Sequence, residues 1–288
     1  MMANINELAE PNHTVTWCPG CGDYSILAAL KKAVVDAGLE PHQTVVASGI
    51  GCSSKLPHFI RTYGYESIHG RGLAAASGIK LANHELTVIA VGGDGDGYGI
   101  GTNHFIHACR RNYDMTYIVH NNQIYGLTTG QTSPTSQKGM KTKSTPEGVL
   151  EDPINPLALS ITSGATFVAR GFSGDLVHLA DLIKQGIEHR GFAHIDVMQP
   201  CVVWNKVNTF DYFRNKVYKL GENEEHDISD KFDAYKKAWE WDDGIPIGVF
   251  YKEEKPTYED GLPPLKKSAL SKMSIENVDI HALMKKYE

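Results

Sequence analysis

Residues 86–101 read LTVIAVGGDGDGYGIG, and this stretch decides the fold. The uncharged first six residues, rich in Val and Ile, predict a buried β-strand. The strand runs directly into a loop made mainly of Gly and Asp. Glycines lack a Cβ, so such a loop lets backbone N–H groups approach a bound ligand closely. We therefore expect a βα unit whose ligand loop follows the carboxyl end of its strand.

The same alternation of apolar runs and helical patterns extends over the first two thirds of the chain. Strands are predicted at Thr44–Ser48, 86–91, 115–120, 166–169 and 194–198, and helices at 24–37, Gly72–Ala82, 103–111 and 174–190. Asp23 stands where it would cap the first helix, and Gly38 where it would end it. The fold class is therefore α/β, an open and mostly parallel sheet with helices on both faces.

The pattern weakens from about Trp204 onward. Residues 222–230 and 251–267 are rich in Glu, Lys, Asp and Pro, which is typical of peripheral segments. We expect one main domain, residues 1–210, and a C-terminal extension, residues 211–288. The extension is either a solvated tail or an arm that contacts a partner subunit.

Composition excludes several classes of function. A net charge of −6 over 288 residues disfavours nucleic acid as the main partner. No run of about 18 uncharged apolar residues is present, so no membrane partner is expected. The first residues lack a signal-peptide pattern, and five cysteines are few for a secreted disulfide scaffold. The expected location is the cytoplasm.

Chemistry-bearing residues follow four of the predicted strands. Cys52, Asp94, Asn122 and Cys201 each stand just after a strand end. In a parallel sheet the carboxyl ends of the strands share one edge, where open α/β sheets bind their ligands. We expect these four segments to meet.

A divalent-cation site is predicted at this edge. The oxygens of Asp94 and Asn122 would bracket one Mg²⁺, and the Ile124 carbonyl would add a backbone ligand; all three are hard oxygen donors. A Gly/Asp loop alone is more often a simple turn. The combination with a later Asn-Asn pair raises the case for a phosphate-bearing ligand, although neither common nucleotide motif is present.

Four cysteines form a second motif. Cys18 and Cys21 stand in a C-x-x-C turn, and Cys52 and Cys201 follow strand ends. Four thiolates suit an iron–sulfur cluster, but structural zinc or a thiol–disulfide pair would use the same residues. Cys109 lies inside a helical pattern, and there a buried small hydrophobe is the better interpretation.

Several segments together resemble one family. Gly93-Asp94-Gly95 with Asn122 resembles the thiamine-diphosphate motif, and CPGCGDYS, GIGCSSK, HGRGLAAASGIKLA and NHFIHACRRN resemble β subunits of 2-oxoacid:ferredoxin oxidoreductases. The resemblance covers residues 17–206. It implies the pyrophosphate-type, thiamine-diphosphate-binding domain of such enzymes.

The resemblance also implies cofactors and residue roles. Asp94, Asn122 and the Ile124 carbonyl would hold Mg²⁺, and a single [4Fe–4S] cluster would be held by Cys18, Cys21, Cys52 and Cys201. The cofactor would be lined by Ile50, Gly51, Cys52, Ser53, His69, Gly95, Asp96, Gly126 and Leu127. Catalytic roles fall to His69 and to Lys55, which would offer a cation to a substrate carboxylate; a surface lysine is the alternative for Lys55.

The implied reaction is oxidative decarboxylation of a 2-oxoacid, with 2-oxoglutarate favoured, to an acyl-CoA, CO₂ and reduced ferredoxin. Thiamine enzymes of this kind use a glutamate from a second domain that this sequence lacks. An α subunit is therefore expected, in a heterodimer or a dimer of heterodimers, with ferredoxin, the 2-oxoacid and coenzyme A as further partners. Two alternatives remain: a subunit of a non-oxidative thiamine enzyme, and a zinc-stapled binding module.

Overall fold

The protein is described by a computed structural model that covers residues 4–222, 225–276 and 278–287. Its centre is one eight-stranded sheet. The strands are β1 Thr44–Ser48, β2 Tyr63–Glu66, β3 Thr87–Gly93, β4 Met115–Asn121, β5 Phe167–Phe172, β6 Phe192–Met198, β7 Val217–Lys219 and β8 Ile245–Lys252, in the order β2-β1-β3-β4-β6-β5-β8-β7. Every neighbouring pair is parallel except β5 and β8.

Helices cover both faces of the sheet, as the sequence predicts. They are α1 Asp23–Asp36, α2 Gly72–Ala82, α3 Thr102–Arg111, α4 Pro156–Ser163, α5 Leu176–Glu188, α6 Phe210–Arg214, α7 Lys231–Ala238 and α8 Ile280–Met284. Apolar residues of α1 and α5 share one core layer with β1, β3, β4, β5 and β6. Residues of α2, α3, α4 and α7 form the layer on the opposite face. The central strands are buried on both sides, which explains their continuous apolar runs.

One detail of the α1 boundaries differs from expectation. Asp23 does not cap α1: the cap position is Gly22, and no side chain bonds the first turn. Asp23 is instead fully buried, with Oδ1 2.7 Å from Nδ1 of His120. Gly38 does follow the helix end with a φ of +69°, a left-handed conformation that favours glycine.

The C-terminal part adds structure that the sequence pattern did not indicate. β8 pairs antiparallel with β5, and β7 pairs parallel with β8 at the edge of the sheet. β8 was not predicted because Pro246 and Gly248, both poor strand formers, interrupt its strand pattern. The predicted division at residue 210 stays a prediction. Within the described residues, no helix has the length and apolar character needed to span a bilayer.

Candidate cofactor site

The sheet brings four loops to one place. β1, β3, β4 and β6 are adjacent, and each ends at the same edge. A cavity of about 410 Å³ opens there. Every residue that the sequence analysis assigned to the cofactor or to Mg²⁺ lines this cavity. These residues are Ile50, Gly51, Cys52, Ser53, His69, Asp94, Gly95, Asp96, Asn122, Ile124, Gly126 and Leu127. Gly93 of the Gly93-Asp94-Gly95 motif completes it, together with three residues that the sequence did not indicate: Tyr125, Thr128 and Gln131.

Asp94 is a carboxylate almost removed from water. It is 1% exposed, and burial raises its pKa, while hydrogen bonds to Thr135 and Ser133 and to the backbone of Asn122 partly offset that effect. The Thr135 hydroxyl donates to Oδ2 at 2.7 Å. A charged carboxylate in this setting needs a nearby cation, and a divalent ion would meet that need.

Asn122 is held in place from both ends of its amide. Oδ1 accepts the backbone N–H of Ile124 at 3.1 Å, and Nδ2 donates to Oε1 of Gln199 at 2.9 Å. The next residue, Gln123, has a φ of +57°. A non-glycine residue in the left-handed region stores strain of about 1–3 kcal/mol, and such strain is concentrated at functional sites. The strained turn swings the chain away from the sheet after Asn122.

Asp96 ties three loops together. Its Oδ1 accepts the backbone N–H of Ile50 at 2.9 Å and of Gly70 at 2.7 Å, and lies 3.1 Å from Nδ1 of His69. Burial raises its pKa, and these partners counteract the rise. A side chain on Gly49 would overlap the carboxylate, so glycine is required there. Asp96 therefore fixes the loop after β1 and the HGRG turn against the Gly/Asp loop.

The chain after Asp94 is already helical. A π-helical segment, Gly95–Ile100, which is kinked at Gly99, leads to α3 at Thr102, whereas the sequence predicted a loop up to Asn103. The amino end of this wound segment, and not that of α3, borders the cavity. A Cβ on Gly95 would overlap the Tyr125 ring, whose hydroxyl donates to the Gly95 carbonyl at 3.1 Å. The segment packs closely because Gly95 has no side chain.

The cavity fits a diphosphate held with a metal ion. Oγ of Ser53 is buried without a hydrogen-bond partner, and Ser53 is part of the cavity lining. A buried unpartnered hydroxyl costs free energy that an anionic oxygen acceptor would recover. Backbone N–H groups at the start of a helical segment in general favour anions in the same way. Asp94, Asn122 and Ile124 line the same cavity, and their oxygens are of the hard type that Mg²⁺ prefers.

The four predicted cluster cysteines line a second cavity, of about 190 Å³. They are Cys18, Cys21, Cys52 and Cys201. A Cβ on Gly126 would lie 3.6 Å from the sulfurs of both Cys52 and Cys201, so these two sulfurs flank one point. Trp17 donates from Nε1 to the Cys52 carbonyl at 2.7 Å and anchors that loop.

The cysteine thiols of this cavity would ionise only beside a positive charge. Burial raises the pKa of the Cys21 thiol, and it raises the pKa of the Cys52 thiol to about 12. The nearby Asp23 carboxylate is the second cause in both cases. A thiolate here therefore requires compensating positive charge, which iron would supply. Within the described ranges no three His, Cys, Asp or Glu side chains converge closely enough for a single ion. Cys109 lies elsewhere, fully buried among apolar residues of the opposite layer.

Lys55 and His69 lie at different cavities. Lys55 lines the cysteine cavity, with Nζ 3.4 Å from Oγ1 of Thr16. His69 lines the cofactor cavity beside Asp96. The two cavities share Cys52, Asn122, Gly126 and Leu127 as common walls.

Sequence reasoning missed several supporting residues. Thr135 and Gln199 hold Asp94 and Asn122, and Asp23 with His120 forms a buried pair beside the cysteines. Gln199 stands two positions before Cys201, at the same strand end, and that position was the one available signal. The others follow from contacts between distant parts of the chain.

Family models match most of the chain. Residues 42–197 match the model described as "Thiamine pyrophosphate enzyme, C-terminal TPP binding domain". Residues 201–267 match the model for the carboxyl-terminal part of the pyruvate ferredoxin oxidoreductase β chain, which extends the likeness beyond the main sheet. Fold and site thus define a thiamine pyrophosphate enzyme domain.

Two relatives identify the family within the thiamine pyrophosphate enzymes. The chain is 52% identical over 256 residues (85% of this chain, 80% of the relative) to "2-oxoacid:ferredoxin oxidoreductase 1, subunit beta" of Aeropyrum pernix. It is 37% identical over 262 residues (91% and 94%) to "2-oxoglutarate synthase subunit KorB" of Archaeoglobus fulgidus. The chain belongs to the β subunits of the 2-oxoacid:ferredoxin oxidoreductases and is an oxidoreductase subunit. A β subunit implies an α partner.

A solved structure shares the whole fold. It is described as 2-oxoglutarate:ferredoxin oxidoreductase from Magnetococcus marinus with 2-oxoglutarate, coenzyme A and succinyl-CoA bound. The TM-score is 0.91 at 37% sequence identity, over 99% of this chain and 96% of that one. This match confirms the predicted fold class.

Proposed function

We propose that this β subunit, with its α partner, oxidatively decarboxylates 2-oxoglutarate with coenzyme A, and that ferredoxin accepts the electrons. Its cofactors would be thiamine diphosphate with Mg²⁺ and one [4Fe–4S] cluster. The observation that carries this proposal is the shared wall between the cofactor cavity and the cysteine cavity. Electrons released at the thiamine side would reach the cluster across a wall of only a few residues.

The chain's own residues have separate tasks. Asp94, Asn122 and the Ile124 carbonyl would hold Mg²⁺, Asp96 would keep the loop that carries Ile50 against the cavity, and the apolar walls would exclude water. When bound, thiamine diphosphate supplies the electron sink for loss of CO₂, and the cluster carries electrons one at a time. Lys55, half-buried beside Cys52, would pair with a substrate carboxylate.

A cluster explains the cysteine arrangement better than zinc. Tetrahedral zinc needs its ligands about 2.3 Å from one ion, so they must converge on one point. A four-iron cluster presents separate corners to its cysteines. The four cysteines line one cavity that borders the proposed thiamine diphosphate site, where a redox cluster would have a role and a structural zinc ion would have none.

The choice of 2-oxoglutarate rests on relatives. The Archaeoglobus protein is named a 2-oxoglutarate synthase subunit, and the Magnetococcus structure is described with 2-oxoglutarate bound. The Aeropyrum relative carries the broader name. We also propose a cytoplasmic location, because cluster ligation needs reduced thiols, and all five cysteines are free.

The test is turnover of the complex co-expressed with its α subunit under anaerobic conditions. We expect methyl viologen reduction that requires both 2-oxoglutarate and coenzyme A, slower reduction with pyruvate, and a brown protein with broad visible absorption. Asp94→Asn should abolish turnover while keeping the colour. The chain without its partner should be inactive. Colourless protein with turnover that ignores coenzyme A would contradict the proposal and indicate the non-oxidative class.

A further inference from the structure

A chain of hydrogen-bonded side chains connects the two cavities. Nδ2 of Asn122 donates to Oε1 of Gln199 at 2.9 Å, and Nε2 of Gln199 donates to the sulfur of Cys21 at 3.1 Å. Gln199 is 1% exposed, so water does not compete for these bonds. One side chain thus touches a residue assigned to the metal and a residue assigned to the cluster.

Backbone groups fix the direction of both amides. The N–H of Ile124 can only donate, and Oδ1 of Asn122 receives it at 3.1 Å, which leaves Nδ2 for Gln199. At the other end the Pro200 carbonyl can only accept, and Nε2 of Gln199 donates to it at 3.1 Å. The N–H₂ group of Gln199 therefore faces the Cys21 sulfur.

Packing holds this geometry. A Cβ on Gly22, the residue at the cap position of α1, would lie 3.0 Å from Cγ of Gln199 and 2.7 Å from Oγ of Ser173. Glycine is what lets the Gln199 side chain lie against the start of α1. A side chain so confined keeps one rotamer, so its donor stays aimed at the sulfur.

We propose that Gln199 is a positioning residue that couples the two cofactor sites and tunes the cluster. This inference rests on the proposed function. A hydrogen bond to a ligating sulfur stabilises the more negative, reduced cluster and so raises its reduction potential. Asp23 acts in the opposite direction, because its Oδ2 lies 3.4 Å from the same sulfur and adds negative charge.

The chain also transmits cofactor binding. A cation held by Asn122 would polarise its amide and strengthen the bond to Gln199, which would then become a better donor to Cys21. Binding of Mg²⁺ and thiamine diphosphate should therefore raise the cluster potential. By thermodynamic linkage, the reduced enzyme should bind the cofactor more tightly by the corresponding factor.

The test uses the co-expressed complex with two substitutions. Gln199→Leu removes both bonds, while Gln199→Glu keeps an acceptor for Asn122 but cannot donate to the sulfur as a carboxylate. The control is Gln185→Leu on α5, whose amide donates to Asp181 and lines neither cavity. For each we would measure iron content, thiamine diphosphate affinity, and the cluster midpoint potential by EPR-monitored titration with and without Mg²⁺ and thiamine diphosphate.

We expect a lower potential in both variants and the greater drop in Gln199→Glu, because of its added charge. Cofactor affinity should fall about tenfold in Gln199→Leu and stay near wild type in Gln199→Glu. The cofactor-dependent shift should vanish in Gln199→Leu. If Gln199→Leu fails to retain iron, the cluster potential of Gln199→Glu tests the inference. Wild-type potentials in the variants would overturn the inference, whereas wild-type complex without iron would overturn the proposed function itself.

Discussion

Thr135 and Asp94 stand 41 positions apart and are joined by a buried hydrogen bond of 2.7 Å. The same hydroxyl lies 2.9 Å from Oδ1 of Asn121, at the end of β4. Thr135 thus fixes the orientation of a carboxylate that the proposed function assigns to Mg²⁺.

Thr135→Val should weaken Mg²⁺-dependent thiamine diphosphate binding by about 10- to 100-fold, because a ligand loses the partner that orients it. Valine keeps a similar shape and puts a methyl group in place of the hydroxyl. Thr135→Ser keeps the hydroxyl and should bind nearly as wild type does. Calorimetric titration of the co-expressed complex checks this; equal affinities in all three proteins would contradict the role of Thr135.

Replacing any of the four cavity cysteines with serine should reduce or abolish cluster binding, since a hydroxyl is a poor ligand for iron. Cys109→Ser should keep the iron, because Cys109 lies fully buried in the other core layer. Iron analysis and visible absorption of the five variants decide the point. Full iron in Cys201→Ser together with loss in Cys109→Ser would refute the assignment.

Lys55→Met should raise the KM for the 2-oxoacid without loss of iron. A charge-assisted hydrogen bond contributes about 1.5–3 kcal/mol, so kcat/KM should fall about 10- to 100-fold. The control is Lys32→Met, which removes an exposed ion pair with Asp36 on α1. Steady-state kinetics with varied 2-oxoglutarate measures the effect, and an unchanged KM would show that Lys55 is only a surface lysine.

His194 should make stability depend on pH. Burial lowers its pKa to about 3, and its Nε2 lies 2.7 Å from the Tyr98 hydroxyl. Histidine in the unfolded chain has a pKa of about 6.5, so below that pH the unfolded chain holds a proton that the folded chain lacks. The free energy of unfolding should therefore fall by about 1.4 kcal/mol per pH unit on acidification.

His194→Leu should remove this contribution, and urea unfolding between pH 5 and 8 measures it. Asp196 changes stability with pH in the opposite direction, because burial raises its pKa to about 6. The free energy of unfolding of the variant is therefore compared with that of the wild type at each pH. Substitution of the exposed His42 should leave the slope unchanged. Equal slopes in wild type and His194→Leu would contradict the prediction.

The sequence predicted the sheet and the meeting of its loops because both follow from local pattern and topology. The run before Asp94 is apolar because β3 is buried on both faces, and parallel strands must bring Asp94 and Asn122 to one edge. Neither inference needed side-chain contacts.

What escaped prediction depends on contacts across the fold. The sequence places Asp23 where a helix cap would stand, yet its partner is His120, at 2.7 Å across the core. The hydrogen bonds of Gln199 to Asn122 and Cys21 join segments far apart in the chain, so no local sequence pattern predicts them. β2 is a short, exposed edge strand, YGYE, with no apolar side to reveal it.

The distribution of the cysteines along the sheet has a consequence for how the protein is made. On the proposed assignment, Cys18, Cys21 and Cys52 leave the ribosome early, while Cys201 follows β6, which must insert between β4 and β5. A nascent chain that ends before β6 contains three of the four assigned ligands and lacks the strand that positions the fourth. Iron delivery before this point would therefore meet an incomplete ligand set, and the cluster should be inserted only after Cys201 has been made and β6 has joined the sheet.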